Sequence, residues 1–315
     1  MASPVDQLDE LVATTFDKVR PMLADQVTRE VALTAALEAK SRVSEDGGLT
    51  IRRPVQFALN DTVGSYDGYD PINVTPQDGF GYAEYEWKQY AGAVTIDGRT
   101  KLLNAGTSRI IDVLAAKFEQ LRMSFVESIN TMLWGEGTGN SSKDFLGIQA
   151  IVDNTGTLGG IDPTTETWWQ SFDLPTVDLT DLDGVRTLNS VLNSLKLAKS
   201  RPDLEFADQD GFEAYEALAA PNIRFQDLKM ADLGFEAVAH KGAEVVFEDD
   251  VPAATWWFIN SKHLEYVKHS AQWMKMEGPR SPVNQDAQTW LVLSAGNLIT
   301  DCRRAHGTID SVVTP

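Results

Sequence analysis

Residues 108–134 read SRIIDVLAAKFEQLRMSFVESINTMLW, and this stretch decides the architecture. Ile110, Ile111, Leu114, Phe118, Leu121, Phe125, Ile129, Met132 and Leu133 keep to one apolar stripe on a helix. Thr107 or Ser108 can cap its start, and Gly135 and Gly137 end it. At ~1.5 Å per residue the rod is about 40 Å long, well above the usual ~12 residues of a globular helix. The spacing predicts the backbone of the core, with Phe118 at its centre.

Upstream, Ile51, Arg53, Val55, Phe57 and Leu59 alternate with Arg52, Pro54, Gln56 and Ala58, a strand pattern that Pro54 confines to a sheet edge. A turn-rich stretch with Gly64, Gly68, Pro71 and Pro76 follows. Glu84-Tyr85-Glu86-Trp87-Lys88 then opens a second strand reaching about Ile96, before Asp97-Gly98. The two strands read as one long hairpin. An isolated ribbon is marginal in water, so its aromatic face must pack on its own domain or on a neighbouring subunit. Val55, Phe57, Tyr66, Tyr69, Tyr85 and Trp87 are the candidate assembly contacts, with Tyr85 and Trp87 expected to face a neighbour.

The first 48 residues read as an arm. Val5, Leu8, Val12, Phe16 and Val19 make one helix, interrupted by Pro21, and a second runs over 24–40 before Gly47-Gly48. The arm has little apolar mass and is expected to need another surface to lie on.

Downstream of the long helix come a Gly-, Ser- and Thr-rich passage over 135–142 and a loop region to about residue 180 that holds Trp168-Trp169. Thr180 and Asp183 form a capping-box signature before Val185, Leu188, Leu192 and Leu195. Asp208 caps a shorter helix through Ala219, stopped by Pro221. Strands are expected over 243–247, 255–259 and 290–300, the last interrupted at Gly296-Asn297. The fold class is α+β.

Composition narrows the function. The 315 residues carry 27 basic and 46 acidic side chains, so 27 − 46 = −19, with 43% apolar content. A folded acidic chain repels phosphate, which disfavours gripping DNA or an anionic membrane. The short basic pairs Arg52-Arg53 and Arg303-Arg304 read as solvated or salt-bridged surface. Cys302 is the one cysteine, and four scattered histidines assemble no metal site. Asp6, Asp9 and Glu10 stand where a signal peptide would be basic and then apolar, and no apolar run is long enough for a membrane span; a reducing cytoplasm fits.

The chemistry-bearing strings fail on context. Gly135-Glu136-Gly137-Thr138-Gly139 follows a helix, whereas a phosphate loop follows a strand. Asp208-Gln209-Asp210-Gly211 mimics a calcium loop but puts Phe206 and Ala217 at positions needing carboxylates. Glu248-Asp249-Asp250 reads as a solvated turn, and His240 and His306 have no carboxylate or thiol nearby in sequence. The N-x-Ser/Thr triplets at Asn60, Asn73 and Asn140 read as coincidence. No catalytic, cofactor-binding or metal-ligating residue is assigned.

Several strings, in their order, resemble the major capsid proteins of tailed phages with the Hong Kong 97-type fold. They are Phe145-Leu146-Gly147-Ile148, then Gly159-Gly160-Ile161-Asp162 leading to Thr167-Trp168-Trp169, then 208–215. Leu233-Gly234-Phe235 through Val251-Pro252 follows, and then Ala295-Gly296-Asn297-Leu298 with Arg303-Arg304. The resemblance implies an N-terminal arm over 1–48 and an extended loop over 49–100. A peripheral domain would take 101–145 and 281–315 with the spine helix over 108–134, and an axial domain 146–280.

It also implies a subunit that self-assembles as hexamers and pentamers into an icosahedral shell. The shell would enclose double-stranded DNA without sequence-specific binding, with no catalysis, cofactor or membrane. Implied partners are a scaffolding protein, separate because 48 residues are short for a fused one, a portal protein and decoration proteins. The expected location is the virion, with the host cytoplasm during assembly. The lysine to asparagine crosslink of one branch maps onto no residues here. The alternatives are an encapsulin-type compartment shell, and, from another class, an acidic cytosolic hydrolase or binding protein.

Overall fold

The computed structural model describes residues 32–103, 107–197, 200–219 and 237–315. The helix expected over 5–19, the start of the one over 24–40, and Pro221 lie outside the described residues. The chain enters through helix α1 (Ala32–Lys40) and strand β1 (Arg42–Glu45), then runs out and back as β2 (Ile51–Gln56) and β3 (Phe80–Tyr85). It turns into β4 (Lys88–Asp97) and passes through α2 (Gly98–Leu103) to the long helix α3 (Thr107–Trp134). A second lobe follows with β5 (Phe172–Leu174), β6 (Val177–Asp178), α4 (Leu182–Ser194), β7 (Leu204–Ala207) and α5 (Gln209–Ala219). It continues through β8 (Ala237–His240), β9 (Ala243–Phe247) and β10 (Trp256–Ile259). The chain then returns as β11 (Leu264–His269), β12 (Lys275–Arg280) and β13 (Ala287–Thr300), and ends with β14 (Gly307–Ile309) and β15 (Val312–Val313).

β13 organises the first sheet. β4 pairs along one of its edges, β12 and β11 share the other, and β1 adds parallel to β11. α3 crosses this sheet at Gly92, where a Cβ would stand 2.4 Å from a Phe125 ring carbon, so only glycine lets the helix approach so closely. Leu114, Phe118, Phe125, Ile129 and Leu133 are buried as the periodicity predicts, with Phe118 edge-on to Trp290. The side chains of Ile110 and Ile111 lie outside those described. A six-stranded sheet, ordered β5-β14-β10-β7-β9-β8, forms the second lobe. α4 and α5 pack Leu188, Leu192 and Phe212 with Trp256 and Phe258.

Six expectations need correction. α1 is no bare arm, because Leu33, Ala36 and Leu37 are fully buried in the core of their own chain. The long hairpin breaks at Glu86-Trp87: only β2 and β3 pair with each other, and β4 swings away to β13. β13 is not interrupted at Gly296-Asn297. Gly296 is there because a Cβ would stand 2.4 Å from the Val267 carbonyl oxygen. Buried Asn297 takes the Leu146 N–H (2.9 Å) and donates to the Glu86 carbonyl (2.9 Å), tying the break to the chain leaving α3.

The division between lobes also moves. β11 and β12, expected in the axial part 146–280, belong to the sheet under α3, while β14, expected in the peripheral part 281–315, completes the other sheet. Arg303 is no surface feature: it is fully buried and donates to the carbonyls of Ile151 (2.8 Å), Gly156 (2.7 Å) and Ala150 (3.0 Å). In α4 the cap is Asp181, which accepts from the Asp183 N–H (2.7 Å), one residue after the expected Thr180. Asp208 caps α5 as read, accepting from the Gly211 N–H (3.2 Å).

Candidate assembly surfaces

The β2–β3 ribbon has two unlike faces, as a two-residue period requires. Ile51, Val55, Ala83 and Tyr85 point inward and are buried; Arg52, Pro54, Gln56, Phe80 and Tyr82 point outward and are exposed. The base of the ribbon is fixed to the body. The Glu84 N–H donates to the Gly159 carbonyl (2.9 Å), Phe57 stacks on Trp168 with centroids 5.4 Å apart, and the Tyr85 hydroxyl donates to the Thr300 carbonyl (2.6 Å). Burial pushes that hydroxyl's pKa up. On the wet side Arg52 covers the Tyr82 ring at 5.1 Å and pairs with Glu84 at 3.1 Å.

Beyond this base the loop over 58–79 is exposed along nearly its whole length. Among the described residues, nine of the fourteen exposed large hydrophobic side chains fall between Phe57 and Tyr82, with Tyr69, Val63 and Val74 among the barest. The same stretch carries Asp61, Asp67, Asp70 and Asp78 and no base. Asn60 and Asn73, two of the N-x-Ser/Thr asparagines, serve as turn caps, accepting from the Thr62 (2.8 Å) and Thr75 (3.1 Å) N–H groups.

The six residues singled out from the sequence therefore part company. Tyr66 and Tyr69 stand in water and Phe57 at the edge of it. Val55 and Tyr85 are 6% and 2% exposed and cannot meet a neighbour while the ribbon holds its base; the inward face of the strand is what buries them. Trp87 sits half-buried, edge-on to His269 at 5.3 Å.

The polar residues weighed for chemistry are structural in their surroundings. Glu248 is buried, against the expected solvated turn, and accepts from the Leu33 N–H at the start of α1 (2.9 Å). Burial, opposed by the Leu33 N–H, pushes its carboxyl up to about 7. His240 does have a carboxylate: its Nδ1 lies 2.8 Å from Glu205 Oε1, a contact 35 residues away in sequence and so invisible to a local reading. Glu205 also accepts from Trp256 Nε1 (2.9 Å), and both Glu205 and His240 are buried. Among the described residues no His, Cys, Asp and Glu group is placed to hold a metal ion, and no helix is long and apolar enough to cross a membrane.

No family model and no curated protein matches the chain by sequence. By structure it is similar to the cyanophage A-1(L) capsid subunit, with a TM-score of 0.70 at 14% identity over 90% of this chain and 93% of that one. It is similar to a subunit of the capsid of a native GTA particle, with a TM-score of 0.60 at 13% identity, covering 88% and 90% of the two chains. A chain of Mycobacterium phage Adephagia gives 0.54 at 14% identity, covering 89% and 90%. The architecture is the one these capsid subunits share. In particular, the chain has the Hong Kong 97-type capsid fold.

Proposed function

We propose that this chain is the major capsid protein of a tailed double-stranded DNA phage. It assembles as hexamers and pentamers into an icosahedral shell around the genome, and its role is structural, without catalysis. The observation that carries this reading is the bare loop over 57–79 on a rigid base. Soluble monomers rarely keep so many large apolar side chains exposed in one segment, and covering each is worth about 1.5–3 kcal/mol. A neighbouring copy supplies that cover in a shell, and the formal charge of −19 suits a container that confines DNA without adhering to it. A separate scaffolding protein, a portal protein and decoration proteins complete the particle, which is built in the host cytoplasm and persists as the virion capsid.

Electron microscopy and sedimentation of the expressed protein test this. Closed shells or capsomers are expected, and a stable monomer at micromolar concentration sinks it. Particles recovered from their natural source should hold long DNA; a packaged enzyme in its place would assign the shell to a cellular compartment.

A further inference from the structure

This acidic chain gathers bases in one place, at the end of the second-lobe sheet where β7 and β9 begin and β8 and β10 finish. Residues 196–201 read KLAKSR, and the loops beside them bring Lys241 and Lys262. Local contacts clamp these loops together. Ser200 Oγ accepts from Asn260 Nδ2 (2.7 Å), and Asn260 Oδ1 accepts the Lys262 N–H (3.2 Å). The Arg201 guanidinium lies on the Lys241-Gly242 turn, where a Cβ at Gly242 would stand 2.7 Å from one of its nitrogens. Lys196, Arg201, Lys241 and Lys262 are all exposed, and among the described residues none of the four has an ion-pair partner. The carboxylates next along the chain are taken up elsewhere, Asp203 and Glu244 by Lys40 (3.2 and 3.1 Å) and Glu265 by Arg53 (2.6 Å).

The backbone at Lys241 is an independent sign. The two-residue turn between β8 and β9 puts both Lys241 (φ 50°) and Gly242 (φ 89°) in the left-handed region. Such a turn favours Asn-Gly, because asparagine tolerates that backbone better than a long side chain does. A base is therefore kept where a neutral residue would fold more easily, which points to a use for its charge. None of the exposed large hydrophobic side chains falls on these loops. A protein partner ordinarily buries an apolar centre, whereas a phosphate backbone is held by cations alone.

We propose that Lys196, Arg201, Lys241 and Lys262 form a contact for the phosphate backbone of duplex DNA, local and blind to base sequence, on the inner face of the shell. It rests on the shell reading for the presence of the DNA. The rest of the surface, in a chain of formal charge −19, repels the duplex and keeps the contact weak. With the four cations each neutralising a phosphate, affinity should fall on the order of 100-fold between ~50 and ~200 mM salt.

Binding of a short duplex of arbitrary sequence to the dissociated subunit, read by fluorescence anisotropy, tests it. Arg201→Gln with Lys262→Gln should weaken binding at ~50 mM salt by roughly tenfold or more, whereas Lys143→Gln, at an exposed lysine in the passage after α3, should leave it unchanged. Lys241→Asn separates the contact from folding: it should raise subunit melting by ~1–3 °C by relieving the turn, yet lower DNA affinity about fivefold. In particles, a lysine-acylating reagent should label Lys241 and Lys262 in empty shells and several-fold less in DNA-filled ones. Shells that assemble from a subunit whose duplex binding is absent, or indifferent to these substitutions, overturn the contact and leave the shell reading intact. Equal labelling of full and empty shells overturns it too, and polyglutamate binding as tightly as the duplex would assign the patch to an acidic protein. A subunit that loses DNA with Lys241→Asn but never closes into shells would keep the phosphate contact and remove the shell.

Discussion

The segment over 32–45 and the loop over 57–79 both leave the body of the subunit, yet one is swallowed by its own chain and the other is left bare. In α1, Ala32, Leu33, Ala35, Ala36 and Leu37 are at most 3% exposed. Polar contacts hold the same segment: Lys40 reaches Asp203 (3.2 Å) and Glu244 (3.1 Å), Ser41 Oγ donates to the Ser261 carbonyl (2.9 Å), and Lys268 pairs with Glu38. In the loop the apolar residues are spaced by Asp, Gly and Pro, so no two turns of chain can close around them. Apolar residues in a dense run make a core with whatever lies nearest. Dispersed through turn-formers, they wait for another surface.

The sharpest way to break this comparison is by deletion. Removing residues 1–48 takes away Leu33, Leu37 and the parallel β1–β11 ladder, and the subunit is expected to be insoluble or to melt more than ~10 °C lower. Removing 61–78 should shift subunit melting by less than ~2 °C and abolish shells. An arm that merely lies on another surface, as the sequence suggested, would make the first deletion act on assembly alone; the burial of α1 overturns that. If the two truncated subunits melt alike, the contrast is wrong.

Single residues sharpen it. Leu37→Ala should cost about 2–5 kcal/mol in urea unfolding of the dissociated subunit, because a fully buried side chain leaves a cavity. Val74→Ser should stay within ~0.5 kcal/mol in the same measurement. A cost above ~1 kcal/mol for Val74→Ser would mean that the loop has intrachain cover after all.

The seat of α1 should also respond to pH. Glu248 takes the Leu33 N–H inside the core, and burial raises its carboxyl from 4.5 to about 7. A raised carboxyl stabilises the folded state fully below pH ~4.5, and that stabilisation is lost as pH rises through about 7. Asp250 adds repulsion in the same direction, whereas Lys268, which burial lowers to about 7, acts oppositely from beside Glu38. The difference between wild type and Glu248→Gln isolates the carboxyl. Wild type should lose on the order of 2 kcal/mol relative to Glu248→Gln between pH 5 and 8, read as subunit melting and as proteolysis over 41–48. Parallel curves for the two proteins would remove Glu248 from this role.

How much of this was legible follows from the range of each interaction. The spine helix and the edge position of Pro54 could be read, because three-residue and two-residue periods are local properties. The break at Glu86-Trp87 could not, since it depends on Asn297 reaching the Glu86 carbonyl 211 residues away. Arg303 was misread and the Glu205–His240 pair was out of reach for the same reason: charged side chains are ordinarily at the surface, and only distant carbonyls or carboxylates make burial tolerable. Of the candidate contacts, Tyr66 and Tyr69 were separable from Tyr85 in principle, by the turn residues around them.

The smallest effect is the most specific. Tyr85 and Tyr69 are the same residue type 16 positions apart, and both were expected to be contacts. Tyr85→Phe removes the donor to the Thr300 carbonyl deep in the core and should cost the dissociated subunit about 1 kcal/mol. Its effect on shell assembly should be no larger than that loss explains. Tyr69→Phe removes a hydroxyl that stands in water in the free chain, so subunit unfolding should be unchanged, and any penalty should appear only in the sedimentation of assembled particles. The two variants thus exchange their readouts. If Tyr85→Phe spares the subunit and weakens the shell, the ring turns outward in the particle, and the inward anchoring of the β2–β3 ribbon described here is wrong.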